Sequence, residues 1–341
     1  MKQIKWGIIG LGNIAKIFSE SFANIKNSKL IAIASKDPSK IEQFKNQFNI
    51  NPKLCFDNYD ELICRQEVDA IYIALPNSLH FEWIKKCLEN KKHVLTEKPC
   101  TINYAEIENI NKLISSGNFF FAEALHYRYL PQMFKLIELL KENIIGELLS
   151  MESVYGHNLL TKRNIFGFIK KKRIKKNNRL FSKQLGGGSI LDIGCYPVSL
   201  STLIASLIPS VKLEDIILEK KNVDYGELEV DIDSYLELNF SNRFRSSIGV
   251  SYKQNLGKYC KIVGTKGEIK ITDTWHGTPS VILVSGKKNK EIILNTRSNI
   301  YSYQTEFVSN CILNESKKLL FPGPSVKDSL RNIKILELWK N

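Results

Sequence analysis

The chain has 341 residues, 43% of them hydrophobic and 25% charged, with a formal net charge of +14. This is the composition of an ordinary globular protein, long enough to bury a full core and most naturally divided into two domains. No run of about 18 uncharged apolar residues suggests a membrane span. The seven scattered cysteines, Cys55, Cys64, Cys87, Cys100, Cys195, Cys260 and Cys311, have no C-x-x-C spacing, which argues against a disulfide scaffold or a zinc site.

In chain order, the first hundred-odd residues alternate between two periodicities. "IKWGIIG" (4–10), "KLIAIAS" (29–35), "VDAIYIAL" (68–75), "KKHVLTEK" (91–98) and "NFFFAEA" (118–124) are short continuous apolar runs. Amphipathic segments fall between them at 13–25, 37–48, 58–66, 78–90 and 102–117. Buried strands separated by amphipathic helices predict a doubly wound parallel sheet covered on both faces, an α/β Rossmann domain over 1–124. Asp37 ahead of Pro38 reads as a helix cap, as does Asn77 or Ser78. The N-terminus runs straight into a strand with no separate apolar leader, so no signal peptide and a cytoplasmic location are expected.

Beyond about residue 130 the pattern changes. A helix is predicted over 131–146, ended by Gly146. Strand-like segments follow at 147–156, 227–240, 243–253, 258–265, 267–274 and 280–286, several alternating polar with apolar and joined by short turns. They predict an open, largely antiparallel sheet in an α+β domain over 125–341. The terminal "VKDSLRNIKILELWKN" is helical in pattern, and this helix could pack back on the first domain.

The first apolar run leads into "GLGNIA" (10–15), a G-x-G-x-x-A turn that opens a helix. Gly10 permits the tight turn, Gly12 lets backbone approach a pyrophosphate, and Ala15 allows close helix–strand packing. The helix N-terminus adds unpaired N–H groups and a partial positive charge. A dinucleotide is therefore expected against Gly10, Gly12, Asn13 and Ile14. At the end of the second strand an acid would select NAD and a basic residue NADP. Ser35 and Lys36 come first and Asp37 is explained as a cap, so NADP is the expected cofactor, with NAD the alternative.

"GGGSILDIGCYP" (186–197) places Asp192 four residues ahead of Tyr196, on one face of a helix. Bringing a tyrosine from pKa 10 to about 7 needs roughly 4 kcal/mol of preference for the phenolate, and a nearby ammonium could provide much of it. Lys98, in "TEKPC" at the carboxyl edge of a parallel strand, is the ammonium in question, with Glu97 as a possible charge partner. Tyr196 is then a candidate acid/base, Asp192 orients it or the substrate, and Gly186–Gly188 let backbone pass close beneath the substrate. Otherwise Tyr196 merely packs and Asp192 caps the helix.

These motifs, together with "ALPNSLH" (74–80), resemble the Gfo/Idh/MocA oxidoreductases, the family of glucose–fructose oxidoreductase and inositol dehydrogenase. The likeness covers nearly the whole chain. It implies a Rossmann domain, a sheet domain that supports a homodimer or homotetramer, and NAD(P)-dependent hydride transfer on a carbinol or ketone of a sugar, polyol or nucleotide-linked sugar. The acid-x-x-x-Tyr form is most similar to dihydrodiol dehydrogenases and ketosugar reductases, since inositol dehydrogenases carry histidine at the tyrosine position. The resemblance puts Pro76, Asn77, His80, Glu97 and Lys98 near the cofactor, although His80 could equally be a packing histidine. It puts Glu123, Arg128 and Arg179 beside Asp192 and Tyr196 in the substrate cleft, and it requires no metal.

The basic segment 162–176, which contains "KKKRIKK" (170–176), stands as an insertion relative to the family. Nucleic acid is one reading of such a run; a solvated loop, or a patch facing an anionic substrate such as a nucleotide sugar, fits better. A dinucleotide-binding sensor without chemistry is the alternative function, and the presence of both Lys98 and Tyr196 counts against it.

Overall fold

Six short apolar strands make the first sheet: β1 (Ile4–Ile9), β2 (Ser28–Ala34), β3 (Cys55–Phe56), β4 (Ala70–Ile73), β5 (His93–Thr96) and β6 (Phe121–Glu123). In the computed structural model they pair in parallel in the order β3-β2-β1-β4-β5-β6. The structure describes residues 2–117, 119–163, 167–175, 178–316 and 319–341. Asn118 of the fifth apolar run, and residues 164–166 and 176 of the basic segment, lie outside the described residues.

The crossovers are α1 (Asn13–Glu20), α2 (Pro38–Phe48), α3 (Tyr59–Ile63), α4 (His80–Glu89) and α5 (Tyr104–Ser116). Three of their starts are fixed by local chemistry. Asp37, Asn58 and Asn103 each turn a side-chain oxygen onto a backbone N–H of the following first turn. α1 has no such cap and no acid in its first turn, so its N-terminal N–H groups are left for something else.

The second sheet has eight strands: β7 (Leu148–Gly156), β10 (Ile216–Tyr225), β11 (Asp231–Phe240), β12 (Phe244–Ser251), β13 (Cys260–Gly264), β14 (Gly267–Ile271), β15 (Ser280–Gly286) and β16 (Lys290–Leu294). Their order is β10-β11-β12-β7-β13-β14-β15-β16, antiparallel except where β12 meets β7. The small hairpin β8 (Thr161–Arg163) and β9 (Ile169–Lys171) lies in the basic segment. α6 (Pro131–Lys141) precedes this sheet, and a wide π-type turn at Ile190–Gly194 runs into α7 (Cys195–Ala205). The segment Lys183–Ala205 is long and apolar enough to cross a bilayer by composition, which the sequence pattern did not reveal. In the structure residues 186–205 of it are buried, as a core helix is.

The chain divides into two units. One is residues 1–130 with 297–330; the other is 131–296 with 331–341. The sequence boundary at 124/125 thus falls short by the turn His126–Tyr129, and the second domain is not one continuous stretch. The segment that returns to the first unit includes α8 (Tyr301–Leu313), while α9 (Val326–Lys340) is divided between the two. α8 belongs there for a physical reason: Trp6 of β1, fully buried, donates its indole N–H to Ser309 at 3.0 Å, and Ser21 and Thr305 share a buried hydrogen bond of 2.8 Å. Ser309→Ala leaves the Trp6 donor unsatisfied and should cost about 1–3 kcal/mol. A urea titration reads this as a lowered midpoint, and an unchanged midpoint would show that the indole bond is not what holds α8.

Candidate functional site

The residues expected to hold the cofactor lie in the first unit. Gly10, in the left-handed region at φ +85°, ends β1; a Cβ there would sit 2.6 Å from the carbonyl oxygen of Ala74. At Gly12, the residue before α1, a Cβ would meet nothing within 4 Å, so open space stands over the uncapped helix N-terminus. Buried Ala15 allows α1 to approach the sheet. This glycine turn, with Asn13 and Ile14 starting the helix, fits a dinucleotide pyrophosphate.

At the end of β2 the Ser35 hydroxyl accepts from the Asp37 N–H at 3.1 Å. Asp37 Oδ1 takes both the N–H and the hydroxyl of Ser39, and these bonds hold the carboxyl below its usual range. Asp37 is thereby committed to α2. Lys36 is exposed, with its ammonium 5.5 Å from the centre of the Tyr59 ring. Ser35 and Lys36 can offer a hydroxyl and a cation to a 2′-phosphate.

Two buried polar side chains, Tyr72 and His80, fix the loops at this sheet edge. Glu97 accepts the Tyr72 hydroxyl at 2.5 Å, and burial together with that carboxylate pushes the phenol well above its usual range. Tyr72 is thus a donor that pins Glu97 beside the half-buried Lys98. His80 is fully buried, its ring spanning the Pro99 carbonyl (Nδ1, 2.8 Å) and the Leu75 carbonyl (Nε2, 2.9 Å). It clamps the loop of Pro76 and buried Asn77 to the loop of Lys98, the packing role that the sequence left open.

Glu123 and Arg128 are placed differently from expectation. Glu123 is 2% exposed; its oxygens accept from the Cys100 N–H at 3.1 Å and the Ser329 hydroxyl at 2.7 Å, and burial raises its pKa. Arg128 is buried and donates to the Pro322 carbonyl at 3.2 Å. Both are interior ties of the first unit, so their assignment to a substrate surface is corrected. A charged side chain so enclosed is kept for its partners.

The remaining residues expected to meet substrate, Arg179, Asp192 and Tyr196, lie in the second unit. Asp192 is 8% exposed; its Oδ2 accepts the Tyr252 hydroxyl at 2.8 Å and its Oδ1 lies 3.5 Å from the Arg179 guanidinium. The structure thus brings Arg179 and Asp192 together. One turn on, the Tyr196 ring packs edge-on to Tyr155 at 5.5 Å and against Trp275 at 5.7 Å. The indole of Trp275 is fixed by donating to the Val154 carbonyl at 3.1 Å. Burial, with Asp192 adding to it, raises the phenols of Tyr155 and Tyr252, which keeps both as donors rather than bases. The imidazole of His157 is lowered, first by burial and then by Lys258, and its buried Nδ1 has no hydrogen-bond partner among the described residues.

Two of the three glycines serve a different contact from the one expected. A Cβ on Gly188, at φ +111°, would lie 2.2 Å from Asp231, and one on Gly187 would lie 2.7 Å from the Arg179 and Leu180 carbonyl oxygens. The close approach is to protein, not to substrate. Buried Asp231 accepts the Ile190 N–H at 2.6 Å and the Ser189 hydroxyl at 2.9 Å, so the acid at the start of this helix is Asp231 rather than Asp192.

Sequence reasoning missed Asp231, Tyr252, Tyr155 and Trp275. Tyr252 was within reach: the inward alternation Phe244, Ser246, Ile248, Val250 extends to it. Asp231 was not, because the alternation of β11 assigns its position outward.

Residues 4–121 match an oxidoreductase family with an NAD-binding Rossmann fold, and residues 133–270 match a GFO/IDH/MocA C-terminal domain. The chain is 29% identical over 335 residues to a trans-1,2-dihydrobenzene-1,2-diol dehydrogenase from Xenopus tropicalis, covering 95% of this chain and 93% of that protein. It is 30% identical over 197 residues to a dTDP-3,4-didehydro-2,6-dideoxy-alpha-D-glucose 3-reductase from Saccharopolyspora spinosa, covering 58% of this chain and 54% of that one. Among solved structures, an aldose–aldose oxidoreductase from Caulobacter crescentus complexed with glycerol superposes with a TM-score of 0.84 at 21% identity, covering 99% of this chain and 96% of that chain. A 3-ketoreductase from Actinomadura kijaniata in complex with NADP and TDP-benzene gives 0.82 at 21% identity, covering 98% and 96%. At such identities the structural likeness speaks to the fold.

Burial raises the carboxyl of Asp231 above its unfolded value. Its contribution to stability is therefore fully present below about pH 4 and is lost as pH rises through the raised value. Asp231→Asn does not titrate, so the cost of the substitution should shrink between pH 4 and pH 7. Denaturant midpoints of both proteins at the two pH values check this, and a cost that grows with pH would contradict it.

Proposed function

The chain belongs to the GFO/IDH/MocA family of NAD(P)-dependent oxidoreductases, and from that premise we propose that it interconverts a ring carbinol and its ketone on a sugar, polyol or nucleotide-linked sugar. The observation that carries this reading is Asp192, held between the Arg179 guanidinium and the Tyr252 hydroxyl beside the aromatic wall of Tyr155, Tyr196 and Trp275. A few fixed polar groups against aromatic faces suit a ligand that presents hydroxyls at its rim and C–H bonds on its faces. The relatives named for dihydrodiols and for a dideoxy ketosugar support it, since both are rings that carry neighbouring oxygens.

When bound, the nicotinamide supplies the hydride transfer. This chain supplies the rest. Tyr196 takes the proton from the carbinol oxygen on oxidation and returns it to the ketone oxygen on reduction. Lys98 bonds the same oxygen, and its charge favours the phenolate of Tyr196. Asp192 positions the neighbouring hydroxyl, and Arg179 and the Tyr252 hydroxyl hold Asp192 in place. NADP is the preferred cofactor, because Asp37 is committed to its cap while Ser35 and Lys36 are available to a phosphate. The reading includes a homodimer or homotetramer formed through the eight-stranded sheet.

Tyr196→Phe should keep NADPH affinity and lose turnover by roughly 10²-fold or more on any keto-sugar the wild type reduces. Lys98→Met should do the same. The assay is NADPH consumption followed at 340 nm, across a panel of keto-sugars and polyols. Unchanged turnover in Tyr196→Phe removes Tyr196 from the mechanism.

A further inference from the structure

The basic segment is not a free loop where the structure describes it. Its strand β9 and the residues after it wall a cavity of about 600 Å³ in the second unit, a size typical of small-molecule sites. The floor is apolar: Leu160, Ile174, Phe181, Val230 and Ile232. The rim carries four cations, Lys171, Lys172, Arg173 and Lys253, against two acids, Asp224 and Glu227. Both acids are already spent, with Asp224 paired to Lys253 at 2.8 Å and Glu227 paired to Lys171. Lys172 and Arg173 have no ion-pair partner among the described residues. The rim therefore presents two uncompensated positive charges over an apolar floor.

This cavity adjoins the Asp192 site. Phe181 in its floor packs on the ring of Tyr252 at 5.5 Å, and the Tyr252 hydroxyl is the one that Asp192 accepts. The backbone joins them as well: Leu159 N–H donates to the Tyr252 carbonyl at 2.7 Å, and Lys172 N–H to the Leu160 carbonyl at 2.7 Å. Lys172 also acts on His157, adding to the effects of burial and Lys258 that lower its imidazole, while Asp192 opposes them. One cation of the rim therefore lies within the electrostatic field of the Asp192 site.

We infer that this cavity is a subsite for a phosphoryl group carried by the substrate, with Lys172 and Arg173 as its anion partners and the apolar floor seating whatever the phosphoryl links to the sugar. The inference rests on the oxidoreductase reading and narrows its substrate to an anionic, phosphoryl-bearing sugar. Two uncompensated cations would be poorly matched to a neutral polyol, whereas a phosphate ester or diphosphate supplies the missing charge. A sugar monophosphate and a nucleoside diphosphate sugar share this chemistry.

The test is calorimetric titration of the full chain, saturated with NADPH, with UDP, glucose 6-phosphate and glucose. UDP or glucose 6-phosphate should bind at least tenfold more tightly than glucose, and more weakly at 200 mM than at 50 mM salt. The double variant Lys172→Ala, Arg173→Ala should lose at least tenfold in that affinity while its NADPH affinity stays within twofold of wild type and its circular dichroism spectrum and urea midpoint stay unchanged, which shows that both units have folded. Preference for UDP would identify the nucleotide-linked sugar, and comparable binding of the two would identify a simple phosphate. Phosphoryl ligands that bind no better than glucose, or equally well to the double variant, overturn the inference. Failure of the wild type to bind NADPH would instead count against the oxidoreductase reading, and the comparison of the two proteins with UDP would still report on the cavity.

Discussion

The second unit depends on one buried carboxylate. Asp231, at the start of β11, reaches across 41 residues of chain to take the Ile190 N–H at 2.6 Å and the Ser189 hydroxyl at 2.9 Å. Burying a carboxylate is expensive, and these bonds, together with the helix N-terminal dipole, offset part of that cost. The approach is possible only because Gly188 lacks a Cβ. Once the helix start is fixed there, the wide turn that follows carries Asp192 to Tyr252 and Arg179, and carries Tyr196 to Tyr155 and Trp275. Gly188, the placement of Asp192 and the aromatic wall follow from a single anchor.

The first unit uses the same strategy with smaller pieces. Tyr72 pins Glu97, His80 clamps two loops through their carbonyls, and Glu123 ties Cys100 to Ser329. None of these side chains needs to touch a ligand. They hold the Lys98 loop and the glycine turn at the carboxyl edge of a sheet whose order reverses between β1 and β4, where such sheets bind nucleotides. Functional residues on loops are precise only when something rigid beneath them is.

Much of this was legible from residues alone, for a definable reason. Continuous apolar runs and local caps such as Asp37 before Pro38 are near-neighbour signals, so the parallel sheet and its helices were readable. The short β3 and the outer strands β10 and β16 carry too little apolar pattern to announce themselves. Contacts between distant positions were invisible in the sequence. Nothing local in "VDID" says that Asp231 turns inward to a helix 41 residues earlier, or that α8 belongs with β1 through Trp6 and Ser309. Glu123 and Arg128 misled for a related cause: a charged residue at a strand end looks like a ligand-binding group until its internal partners are seen.

In the proposed cofactor site Gly10, Gly12 and the bare start of α1 hold a pyrophosphate, with Ser35 and Lys36 meeting a 2′-phosphate. A parallel fluorescence titration of the protein with NADPH and NADH tests it most directly. Tighter binding of NADPH, with that advantage abolished in Lys36→Glu, is the expected result. Binding of neither nucleotide to the folded protein would contradict the claim, and a preference for NADH would overturn the role given to Lys36 while leaving the glycine turn in place.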